Sequence, residues 1–173
     1  RYNKITGLFQ NHTANDTQAD GLTHSSIWCI VKDNQGTLWL GTYFGGVNYF
    51  NPEYEIYTRY SYSSNEKKGL SNPVVGRTIE DKDGNLWIGT EGGGLNYYNR
   101  RTREFKWYRP QEGRNSISHN NVKALYYDAD KEIIWIGTHL GGLNKLDIRS
   151  GHFTHYRMEE GNPNTLPSDI IRD

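Results

Sequence analysis

Apolar side chains in this chain fall in short runs that alternate with polar ones, as in SIWCIVKD (26–33), VVGRTIED (74–81) and NVKALYYD (121–128). Period-two alternation of this length predicts half-buried strands, and no segment sustains the 3.6-residue period of an amphipathic helix. Each run leads into an Asp-led turn: Asp33-Asn34-Gln35-Gly36, Asp81-Lys82-Asp83-Gly84-Asn85 and Asp128-Ala129-Asp130-Lys131-Glu132. Asp starts turns through side chain to backbone hydrogen bonds, and Gly closes them at positive φ. The third turn has no Gly and one extra residue, so a looser or bulged hairpin is expected there. A Trp-led strand, a Gly-Gly turn and a short strand (VNYFN, LNYYN, LNKLD) follow. An aromatic-rich strand then closes the unit at Tyr54 to Tyr60, Glu104 to Arg109 and His152 to Arg157, with a further copy at Ile5 to Gln10.

The pattern repeats at a fixed interval. Trp39, Trp87 and Trp135 stand 48 residues apart, each opening W-[LI]-G-T-x-x-G-G-[VL]-N. Thirteen Tyr, five Trp and five Phe against one Met, with 19 Gly, fit β structure rich in turns. A mean hydropathy of −0.87 does not signal disorder, because the apolar residues are gathered in the strands. Four antiparallel strands at a period of 40 to 50 residues predict an all-β fold of β-propeller blades. The expected blades are residues 25–62, 73–109 and 120–157, with an extra outer strand at 4–10 and the start of another blade at 168–173. Closed propellers need at least about four blades. Three blades and a partial one predict a propeller fragment, with two blade faces left for further blades of a longer chain or for copies of itself.

In the residues Trp39, Gly41, Thr42, Gly45, Gly46, then Trp87, Gly89, Thr90, Gly93, Gly94, then Trp135, Gly137, Thr138, Gly141 and Gly142, the chain closely resembles the two-component regulator propeller repeat. The resemblance implies the periplasmic sensor region of a hybrid two-component system from a Gram-negative glycan-degrading bacterium. In such systems propellers and a β-sandwich lie outside the inner membrane and a kinase lies inside. It therefore implies a part in sensing an oligosaccharide, with signalling located in domains other than these 173 residues.

Charge and chemistry narrow the function further. Twenty Lys and Arg balance twenty Asp and Glu, which gives no net field to draw nucleic acid or an anionic membrane surface. Cys29 is the one cysteine, so neither an internal disulfide nor a cysteine zinc site is expected. No signal peptide or membrane span is read, as expected of a mature domain or an excised fragment. The Gly-Gly pairs join two strands and open no helix, which argues against phosphate binding. The Asp turns lack the full spacing of a calcium loop, and His152 and His155 fall on opposite faces of a strand. No metal, cofactor or catalytic residue is assigned, and the fragment is read as no enzyme. The alternatives are a propeller lyase or glycosidase acting on polysaccharide, and a protein-interaction scaffold.

The repeated Trp39, Trp87 and Trp135 are expected to pack between blades, since every unit shares that packing problem. Ligand contacts are sought where the units differ. After the shared Thr stand Tyr43, Glu91 and His139; near the start of the axial strand stand Trp28, Arg77 and Lys123. Together they offer aromatic faces and both charge signs, a mixture suited to a polar ligand such as a neutral or acidic glycan.

Overall fold

The computed structural model describes residues 2–14, 21–51 and 56–172, and there the alternating runs form three four-stranded antiparallel sheets. The first contains β1 (Ile27–Lys32), β2 (Leu38–Thr42), β3 (Val47–Asn51) and β4 (Ile56–Tyr60). The second contains β5 (Val75–Glu80), β6 (Leu86–Thr90), β7 (Gly94–Asn99) and β8 (Glu104–Tyr108). The third contains β9 (Val122–Asp128), β10 (Ile133–Thr138), β11 (Leu143–Asp147) and β12 (Phe153–Tyr156). Chain neighbours are sheet neighbours throughout, the meander order of a propeller blade. Residues 52–55 of the first expected blade and Asp173 lie outside the described residues.

The Asp turns do two jobs. Asp33 Oδ1 accepts the backbone N–H groups of Gln35 and Thr37, both at 2.9 Å, and its Oδ2 accepts the Trp39 indole N–H at 2.8 Å. Asp81 repeats the set with Asp83, Asn85 and the Trp87 indole. In the third turn the extra residue moves Asp128 one step further from Trp135, and Asp128 binds Lys131 instead. That turn closes without Gly by placing Glu132 at φ 54°, and Asp128 still pairs directly with Ile133.

The core lies between the sheets. Trp39 of the first sheet is buried among Leu70, Val75, Leu86, Ile88, Tyr98 and Phe105 of the second blade and its lead-in. Trp87 is buried in the same way among Ile117, Val122, Ile134, Ile136, Leu146 and Phe153. The Gly of W-x-G-T makes this close approach possible. A Cβ on Gly41 would lie 2.6 Å from Val75 Cγ1, and one on Gly89 would lie 2.6 Å from Val122 Cγ1. A charged clamp adds to the first seam: Arg100 Nη2 meets Asp33 Oδ2 at 2.9 Å, with its guanidinium over the Trp39 ring.

Two expectations need correction. Among the described residues, Trp135 does not pack between two blades. No fourth sheet stands beyond it among the described residues, so it is only half-buried, against Tyr156 at 5.8 Å. Residues 4–10 do not form an outer strand. They belong to a local turn closed by a Tyr2–Phe9 bridge, with Ile5 96% exposed, because no sheet lies beside them to supply ladder partners. On the first sheet, Ile30 of β1 is exposed and lines a groove with Leu38, Leu40 and Phe50.

Residues 169–171 sit against the third sheet as β5 and β9 sit against theirs. Gly142 N–H donates to Asp169 O at 2.9 Å, just as Gly46 donates to Pro73 O and Gly94 to Asn120 O. Ile171 takes the place of Val75 and Val122, 2.5 Å from where a Cβ on Gly137 would stand.

Candidate functional site

The ring end where β2, β6 and β10 finish is built by the same four devices in every blade. First, Thr42, Thr90 and Thr138 each donate a hydroxyl hydrogen bond, at 2.9 Å, to the second carbonyl of the Gly-Gly pair. That Gly must be Gly: Gly46, Gly94 and Gly142 have φ of 73°, 79° and 70°, and a side chain would strike the carbonyl of Tyr60, Tyr108 or Tyr156. Second, Asn48, Asn96 and Asn144 each accept the N–H of Thr23, Ser71 or Ser118 and donate to the same residue's hydroxyl, tying each long connection to its sheet.

Third, a side chain three residues before the start of each axial strand accepts a backbone N–H. His24 Nδ1 accepts from Ser26 and His119 Nδ1 from Asn121, both at 3.0 Å, while Asn72 Oδ1 accepts from Val74 at 2.9 Å. Fourth, the register of the first hairpin slips near its start in all three sheets, at Ile27/Cys29, at Val75/Thr78, and opposite Gly137/Thr138 in β9. A bulge of this kind re-aims a side chain at a sheet end. Trp28, Arg77 and Lys123 occupy these slips.

The other three variable positions follow the shared Thr. The backbone N–H of Tyr43, Glu91 and His139 donates to Ser26, Val74 and Asn121 carbonyls at 3.1, 3.0 and 3.0 Å. All six candidate residues therefore stand at one end of the blades, on a frame fixed by the repeated residues. Trp28 and Tyr43 stack on each other at 4.8 Å with planes 28° apart, and remain 43% and 37% exposed. Phe44 packs edge-on to Tyr43 and extends this aromatic surface. Lys123 Nζ forms an ion pair with Glu91 across the seam between the second and third blades. Glu91, Lys123 and His139 line one cleft of about 440 Å³ together with Asn121 and Arg172. Arg77 is exposed on β5 and does not line that cleft.

Three neighbours were missed in the sequence reading. Arg172 follows Ile171 as Lys123 follows Val122, so the repeat register itself pointed to it. Asn121 and His119 carry no special motif, and their role depends on the folded turn. The His119 ring lies 6.5 Å from that of His139. Burial first, then the positive fields of His139 and Arg157, hold the His119 imidazole below its ordinary pKa. Among the described residues, no three His, Cys, Asp or Glu side chains gather as a metal site.

Residues 21–44, 69–92 and 116–139 match the family described as two component regulator propeller, each match running from a long connection to just after the shared Thr. The chain carries two-component regulator propeller repeats. It is similar to the extracellular domain of a hybrid two-component system from B. thetaiotaomicron, with 29% identity and a TM-score of 0.72 over 84% of this chain and 20% of that one. A second extracellular domain from the same organism, described as that of a one component system, matches at 25% identity and a TM-score of 0.70 over 91% of this chain and 20% of that one. The repeats here thus span about a fifth of the length of these domains. Virginiamycin B lyase from Staphylococcus aureus shares the fold alone, at 13% identity and a TM-score of 0.58 over 78% of this chain and 42% of that one. No curated protein matches the chain. No helix among the described residues is long and apolar enough to cross a membrane.

Proposed function

We propose that these propeller repeats are a ligand-sensing part of the periplasmic region of a hybrid two-component sensor, and that they recognise an oligosaccharide and pass its presence to a kinase elsewhere in the system. The observation that carries the reading is the ring end: six positions that vary between blades, set on a frame the blades share. Sugar rings present C–H faces that pack on aromatic surfaces and hydroxyls that need oriented polar partners. The Trp28–Tyr43 stack offers the first, and Glu91, Lys123 and His139 around one cleft offer the second. Similarity to extracellular domains of such systems supports the same reading. In it the fragment has no catalytic role, and the outer faces at Ile30 and Trp135 meet further blades of a longer chain or another copy.

The test is calorimetric titration with neutral and acidic oligosaccharides, with each sugar recovered and chromatographed afterwards. Saturable binding, intact sugar, and loss of binding in Trp28→Ala and Lys123→Ala variants of unchanged melting temperature are the expected result. Shortened or unsaturated products would replace a sensor with a polysaccharide lyase or glycosidase.

A further inference from the structure

The turn at His119 lies where the third blade meets the Gly-Gly loop of the second. Asn120 O accepts the N–H groups of Gly92 and Gly94, at 3.2 and 2.7 Å, and Asn121 O accepts that of His139 at 3.0 Å. Asn120 therefore joins the Gly-Gly loop of the second blade to the third, and Asn121 ties the start of the third blade's axial strand to His139, beside the Glu91–Lys123 pair. Within the turn itself, the Asn121 N–H is donated to His119 Nδ1 at 3.0 Å. An imidazole nitrogen accepts only while it lacks a proton.

We propose that His119 makes the candidate ligand cleft proton-sensitive: the neutral ring holds the Asn121 turn at the blade seam, and a proton added to Nδ1 releases it. The inference rests on the ring-end reading above for its link to ligand. Uptake of a proton from water replaces the lone pair, so the Asn121 N–H···Nδ1 bond is lost and a second N–H donor faces it. The surroundings oppose the charge. His139 after β10 and Arg157 after β12 face the ring, and Asp169, 3.7 Å from Arg157, is the nearby carboxylate that holds that guanidinium. The second blade supplies an internal control. Asn72 Oδ1 caps the equivalent turn at 2.9 Å with a group that does not titrate, and Ser168 Oγ caps the turn before Ile170 at 3.0 Å.

The test follows backbone amide shifts of the whole ligand-free chain from pH 8 to pH 5, for wild type, His119→Asn and His119→Ser. The expected result is a one-proton curve at the Asn121 and Lys123 amides with a midpoint below the ordinary histidine value of about 6.5, absent from both variants. A flat wild-type curve, or one that persists in both variants, overturns the switch. A second arm repeats an oligosaccharide titration across the same pH range, where wild-type affinity is expected to fall with the Asn121 curve and His119→Asn affinity is not. Affinity independent of pH while Asn121 titrates overturns the link to the cleft. Absence of binding to every sugar defeats the ring-end reading alone, since the ligand-free curve decides the switch without it.

Discussion

Val122 of the third blade rests directly on Gly89 of the second, with its Cγ1 2.6 Å from where a Cβ on Gly89 would stand. The contact recurs as Val75 on Gly41 and Ile171 on Gly137, so the invariant Gly of W-x-G-T is a spacing device between blades. A methyl group at Gly89 would push against a fully buried β-branched side chain whose own Cβ lies 3.0 Å away, which leaves little room to yield. Overpacking of this kind costs about 1–3 kcal/mol. Gly89→Ala is expected to lower the denaturation midpoint accordingly, measured by urea titration followed by Trp fluorescence.

The three repeated Trp residues are equal in sequence and unequal in position. Trp87 is 2% exposed inside a seam, whereas Trp135 is half-buried on the outer face of the third sheet. Replacing a buried Trp by Ala costs about 3–5 kcal/mol. Trp87→Ala is expected to fall in that range and Trp135→Ala well below it, in matched thermal melts of this chain.

Arg100 binds the carboxylate of Asp33, whose side chain is fully buried, and covers the Trp39 ring. Breaking a fully buried pair by removing one partner costs about 3–5 kcal/mol. Because the Arg100 side chain keeps 21% exposure, the expected loss for Arg100→Ala lies below that range. Ile148 occupies the matching position in the third blade and packs in the second seam, so Arg100→Ile is expected to recover part of the loss.

Cys29 lies against Thr78 of the neighbouring blade, and burial pushes its thiol pKa up, with the Thr78 hydrogen bond and the nearby Arg77 charge pulling the other way. The thiolate is the reactive form. Alkylation of the folded chain is therefore expected to need a higher pH than alkylation of the denatured chain, as read by mass spectrometry. By linkage, the neutral thiol favours the folded state, and its contribution is kept below the unfolded-state thiol pKa and lost as pH rises past it.

The fold was open to sequence reading because its rules are local. Asp33, Gly36 and Trp39 announce a turn and the strand after it, and the 48-residue interval sets the order of everything else. The correction at Trp135 has a different origin, since identical residues acquire different burial when one lacks a neighbouring sheet. Residues 4–10 resemble an outer strand in composition, yet a strand needs a ladder partner, and composition does not carry that information. At the ring end, the six variable positions were legible as departures from the repeat. The Glu91–Lys123 pair and the His119 cap were not, because they join different blades or depend on a turn geometry shared by His, Asn and Ser.

In the proposed function, the shared residues build a frame and the variable ring-end residues meet the ligand. The most direct measurement is an NMR titration of the chain with a bound oligosaccharide, following the indole signals of Trp28, Trp39 and Trp87 together with the His139 ring. Trp28 and His139 are expected to shift on binding while the buried Trp39 and Trp87 stay in place. Shifts confined to Trp39, Trp87 or the outer strands, with Trp28 and His139 unmoved, would contradict the proposed function.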